Sequence, residues 1–384
     1  MKKRFIFILL TVFFSLLFLF SFSGQTVSAD ELSDTVIDQA NNLDLEELKD
    51  FFSTSGADNY DFLSVFKNLL SGEYGGGANI FDYIKNIIFS EIKSLLPIMI
   101  GILIVAFLCE IAQNSKSVYL SASVGTIVKF VTVLTVLLLL VPEFILIWNK
   151  TKNLIENIAK FSEIMSPIIL TLMVASGGGA SAAVYKPSVL LFTDVVINTF
   201  YAVVLPLIGV LTAFNVMSHF SKDVKLNKFS DFFGGILKWI FGILLSVYGL
   251  FITMQGLSVS ATDGISAKIA KYAISNSVPI VGGLIKDGID IVAAGSIIVK
   301  NALGVAGLTG IFYIILSPVL HMVVFSLLLK LVATVTDVFA SDTVPSFLTS
   351  ISKSVNYLIA SSLTVGLMAF LTVLLMVISA NSVI

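Results

Sequence analysis

Residues 276–310, NSVPIVGGLIKDGIDIVAAGSIIVKNALGVAGLTG, decide how this chain is read. The stretch is glycine-rich and carries Lys286, Asp287, Asp290 and Lys300, yet it lies among long apolar runs. A plain lipid-facing helix does not tolerate such a load. Each charge at the bilayer centre costs about 2.5–3.5 kcal/mol on insertion scales and needs a partner, a cavity or water. The segment is therefore a polar re-entrant or interfacial element, or part of a polytopic core. Pro279 and Gly282-Gly283 would bend a re-entrant element. If 284–300 is helical, Lys286 and Asp290 are spaced for an i,i+4 pair, with Ile285, Ile289 and Val292 on the apolar side.

Outward from there, the composition is that of an integral membrane protein. Hydrophobic residues make up 57% of the chain, charged residues 12%, and the mean hydropathy is +0.99. Soluble domains carry about 25% charged residues. A net charge of −2 concentrates no basic patch, so nucleic-acid binding is not indicated. The lone Cys109 precludes a disulfide within one chain and a thiolate metal cluster.

The reading is all-α: a polytopic membrane protein with about seven transmembrane helices after an N-terminal signal peptide. Residues 1–29 look like that signal. Lys2, Lys3 and Arg4 form the basic region, Phe5 to Phe22 the apolar one, and Val27-Ser28-Ala29 a cleavage site after Ala29. An uncleaved anchor is the rival. Cleavage would leave 30–90 as an extracytoplasmic region of short amphipathic helices, lying on the membrane or on a partner. Residues 91–384 then form the transmembrane domain. Its candidate spans are 95–112, 124–148, 164–183, 188–217, 232–257, 303–331 and 355–379. Pro167 and Gly177-Gly178-Gly179 make 164–183 a possible half-span, and Pro206 kinks or divides 188–217. Neither threading satisfies the positive-inside rule at every loop.

Few side chains suggest chemistry. Asp194 and Asn198 lie four apart on one helix face, as an ion- or proton-handling pair or as an interhelical hydrogen-bond clamp. Glu143 follows Pro142 near Trp148, which reads as a membrane boundary. His219 falls in a loop. His321 follows Pro318 and reads as a packing or hydrogen-bonding residue. No His-Glu-x-x-His, Cys-x-x-Cys, Gly-x-Ser-x-Gly or phosphate-loop pattern occurs, so no catalytic residue, cofactor or metal site is assigned. Gly304, Gly307 and Gly310 recur every third residue and permit close helix approach, either within the chain or at a subunit interface.

The Pro-x-Val-Gly-Gly block at Pro279 to Gly283 and the Lys-Asn-Ala-x-Gly block at Lys300 to Gly304 carry a resemblance. With the signal, the acidic N-terminal segment and the spans, the chain resembles the stage III sporulation protein AE family of endospore-forming Firmicutes. The resemblance is strongest over 265–330. It implies residence in the mother-cell membrane around the engulfed forespore, in an assembly with other stage III sporulation membrane proteins. That assembly, as implied, includes a secretion-type ATPase, joins a forespore membrane partner, and forms a secretion-like channel that sustains late forespore gene expression. No family catalytic residues carry over.

Three functions compete: a non-enzymatic subunit of that channel, with a homo-oligomer as one arrangement, a stand-alone solute permease, and an intramembrane enzyme. A permease gathers polar residues from several spans around one midplane site. Here they concentrate in 276–310 and at span ends, which favours the assembly subunit. Lys286, Asp287 and Asp290 are its candidate docking surface.

Overall fold

The computed structural model describes Val36, residues 39–40, 43–57, 60–72, 80–114, 122–220, 226–277, 281–339 and 343–379. Within these helices, the side chains of 255–277 and 281–289 fall outside the description. The helices are α1 (Glu46–Thr54), α2 (Phe62–Leu70), α3 (Ile80–Asn114), α4 (Ala122–Ala175), α5 (Gly179–Leu190), α6 (Leu205–Met217), α7 (Asn227–Ser277), α8 (Val281–Phe339) and α9 (Thr343–Ile378). Between α5 and α6 the chain runs through two wider π-helical stretches, Leu191–Ile197 and Phe200–Val204. No strand occurs among the described residues.

Among the described residues, six helices are long and apolar enough to cross a membrane, which makes this a multi-pass membrane protein. The expected span 124–148 and most of the expected span 164–183 lie on one continuous helix, α4. Pro167 does not interrupt α4. The stop comes at Gly177, whose φ of +87° closes the helix end. Its N–H donates to Val174 O and the Gly178 N–H donates to Met173 O. That paired pattern needs a left-handed residue, which glycine supplies without strain.

The segment at 281–300 is regular helix from Val281 and continues unbroken into the sixth expected span. Gly282 and Gly283 lie inside this helix, so no re-entrant turn occurs within 281–339. Residues 278–280, with Pro279, lie outside the described residues. At 1.5 Å per residue, α4 is about 81 Å long and α8 about 88 Å, against roughly 30 Å of hydrocarbon. Both therefore extend far beyond one bilayer thickness.

The antiparallel pair α8 and α9 forms the centre. Ser326 bonds Ser352 and Asn356 near the connection, while Lys300 donates to Ser379 O at the far end. Of α9's apolar window 78% is buried, against 17% for α7, so α9 is the central helix and α7 a peripheral one. The outward apolar residues of α3 and α4, such as Ile104, Phe107, Ile127 and Leu138, remain for lipid.

The N-terminal helices do not simply lie on a membrane or a partner. Phe51, Phe52, Phe62 and Phe66 are buried against the chain's own long helices. Asp61 caps α2 by accepting from the Ser64 N–H at 3.2 Å. The Phe52 ring stacks on Phe62 at 5.1 Å and meets Phe161 of α4 at 5.8 Å. The Tyr60 hydroxyl donates to Ala306 O of α8, and its burial holds the phenol well above its usual range, so it stays a donor. Phe52→Ala should therefore loosen this strap by about 3–5 kcal/mol. Limited trypsinolysis at Lys49 and Lys67 checks this: the variant should be cut much faster than the parent, and equal rates would refute the docking.

Candidate functional site

The described residues gather one cluster of charge inside the bundle, and it joins three long helices. Helix α3 supplies Glu91, α4 supplies Glu143 and Lys150, and α8 supplies His321. The imidazole is enclosed, with side-chain exposure of 3%, against 17% for Glu91 and 11% for Glu143. Its Nδ1 lies 2.5 Å from Glu91 Oε2 and its Nε2 2.6 Å from Glu143 Oε1, both at hydrogen-bond distance. Lys150 Nζ stands 3.8 Å from the other oxygen of Glu91.

A neutral imidazole has one N–H and one lone pair. Two carboxylates at hydrogen-bond distance from both nitrogens are satisfied together when the ring is an imidazolium. The two carboxylates, the imidazolium and the Lys150 ammonium then sum to zero charge. Neutrality of this kind lets ionised groups persist among apolar helices, where an unpaired charge is costly. Both ring nitrogens are used, so neither lone pair is left for a metal ion. Among the described residues no group of three acidic, histidine or cysteine side chains fits a metal.

The other histidine behaves differently. His219, past the end of α6, bonds Asn215 O at 2.8 Å and Ser346 Oγ at 3.2 Å. Burial pulls its imidazole below the usual histidine range, so it is a neutral bridge between α6 and the start of α9.

The residues expected from sequence lie elsewhere. Asp194 and Asn198 are both exposed, in and just after the first π-helical stretch, and face outward instead of into the bundle. Asp290 is half-buried near the start of the described part of α8, while the side chains of Lys286 and Asp287 lie outside the description, as does Ala29. Lys300 is fully buried, and its bond to Ser379 O places a cation at the C-terminal end of α9, where the helix dipole favours one. The three glycines of α8 each meet a different part of the same chain. A side chain at Gly304 would strike Val377 of α9, one at Gly307 would come within 2.6 Å of Met165 of α4, and one at Gly310 would strike Phe52 of α1.

Sequence reasoning placed Glu143 at a membrane boundary and His321 in packing, and did not single out Glu91. A signal was present: each of the three lies within six residues of a proline inside its helix, at Pro97, Pro142 and Pro318. Acid or imidazole beside a proline in an apolar run marks a place where polar groups must be satisfied across helices.

Comparison with known proteins gives the chain its relatives. The profile of the family described as Stage III sporulation protein AE matches residues 60–380. A protein named Stage III sporulation protein AE from Bacillus subtilis (strain 168) is 23% identical over 302 residues, covering 79% of this chain and 75% of the relative. No solved structure matches. The profile takes in α2 through α9, including all four residues of the buried cluster, and on that extent this chain belongs to the stage III sporulation protein AE family.

Proposed function

We propose that this sporulation protein is a non-enzymatic membrane subunit of a secretion-like channel complex joining mother cell and forespore. It would sit in the mother-cell membrane surrounding the forespore and support late forespore gene expression. Its partners would be other stage III sporulation membrane proteins, including a secretion-type ATPase, with a forespore membrane partner reached through the complex.

The observation that carries this reading is the reach of the two longest helices. At roughly 81 and 88 Å each is far longer than a bilayer is thick, and α1, α2 and the end of α9 pack against them. Braced helices of that length suit a scaffold that meets other proteins outside the membrane. The centre of the bundle supports the same reading, because it is filled by the side chains of α9 and by a charge cluster closed on itself. A stand-alone permease would instead keep a polar site open to solute near the midplane.

The test is purification of a tagged, functional copy from sporulating cells after mild solubilisation. We expect a particle far larger than the 41.4 kDa chain, containing a secretion-type ATPase and small membrane proteins. A lone chain or simple homo-oligomer that carries solute across vesicles would overturn the reading in favour of the permease.

A further inference from the structure

The Glu91–His321–Glu143 cluster coincides with the weakest points of the helices it joins. Proline donates no backbone N–H, so Pro97, Pro142 and Pro318 each free the carbonyl four residues earlier, at Lys93, Leu138 and Ile314. Kinks in long helices concentrate at such points. Without a tie between them, α3, α4 and α8 would each have a hinge within about two turns of the cluster. The imidazole supplies the tie, with one nitrogen on α3's carboxylate and the other on α4's.

The groups that face it are few. Glu91 comes from α3, and Glu143 and Lys150 from α4. The hairpin register brings Leu358, Ile359 and Ala360 of α9 to this level, none of them charged. The phenols of Tyr60, just before α2, and of Tyr83 and Tyr313, from α3 and α8, meet about two turns away.

We propose that Glu91, His321 and Glu143 form a proton-held clamp across the proline-weakened points of α3, α4 and α8. The clamp is closed while the imidazole carries both ring protons and released when it loses one. With one N–H gone, a lone pair faces a carboxylate at hydrogen-bond distance, and that contact becomes repulsive. One carboxylate must then turn away, and its helix is free to bend at its proline. Helix α3 is the one with least to hold it, since its first turns expose Phe81 and Phe89. This inference stands apart from the channel reading, because it concerns the bundle alone and holds whatever the chain assembles with.

Two measurements on the full chain in lipid nanodiscs test it together. The first is nitrogen-15 NMR of labelled histidine in a His219→Asn variant, where His321 gives the only ring signals. The second is the spin-label distance between Phe89→Cys on α3 and Lys160→Cys on α4, in a Cys109→Ala background. While both ring nitrogens are protonated the distance should be single; as the pH is raised and the ring loses a proton, the distance should lengthen and broaden in step with that loss. In Glu143→Gln, which keeps an acceptor but removes a charge, the distance change should move to lower pH. A ring that is neutral while the distance is single, a distance that does not follow the ring's titration, or a ring and distance both unchanged as the pH is raised would each overturn the clamp.

Discussion

Replacing His321 by leucine should destabilise the bundle by about 3–5 kcal/mol, the usual cost of leaving a buried charge without its partner. Leucine fills much of the imidazole's volume, so the loss is electrostatic before it is steric. Glu91 and Glu143 would face each other across an apolar side chain, with only Lys150 at 3.8 Å from Glu91 to offset them. Neither carboxylate has easy access to water, at 17% and 11% exposure. The measurement is the thermal midpoint of the detergent-solubilised protein, followed by size-exclusion homogeneity. The triple variant Glu91→Gln, His321→Leu, Glu143→Gln removes the charges together and should recover most of the loss, because buried ion clusters can be exchanged for neutral groups at little net cost. Lys150, already 31% exposed, can extend its ammonium toward water. A single variant as stable as the parent, or a triple variant worse than the single one, would refute a charge-satisfied clamp.

The spans and the all-helical class were legible because hydrophobic length is a local property. A run such as 124–148 declares itself without knowledge of its neighbours. Where spans end was less legible. The sequence shows Pro167 and Gly177 with similar emphasis, yet α4 passes through the proline and stops at the glycine. A helix already long on both sides tolerates one missing hydrogen bond, whereas the paired carbonyl capping at Val174 and Met173 requires a positive φ. The cluster was illegible for a different reason. Glu91, Glu143 and His321 are separated by up to 230 residues, and only the register of α3, α4 and α8 brings them together. Each taken singly reads as a boundary or packing residue. The docking of α1 and α2 was hidden similarly, since Phe52 and Tyr60 advertise an apolar face without naming what covers it.

The glycines of α8 yield the second large effect. Gly304→Ala, the smallest change available, should cost more than alanine gains as a helix former, which is about 1 kcal/mol over glycine. The new methyl would meet Val377, with its Cγ1 at 3.0 Å and its Cβ at 3.1 Å, and a third atom closer still. Valine in a helix holds one rotamer, and Val377 is 4% exposed, so it cannot swing aside. The helices α8 and α9 must part instead, in the region where the buried Lys300 ties them at Ser379. Overpacking of this kind costs about 1–3 kcal/mol and sometimes more. Gly242→Ala on α7, with open space around it, is the control and should be neutral or slightly stabilising. Leu308 is no such control, for at 2% exposure its own truncation would leave a cavity. The decisive variant is Gly304→Ala with Val377→Ala in the same chain. If the glycine serves the packing of α8 on α9, trimming the valine restores the thermal midpoint, and the two changes are strongly non-additive. If Gly304 instead serves contact with another subunit, Val377→Ala rescues nothing, and the loss appears in the assembled complex while the isolated chain keeps its stability.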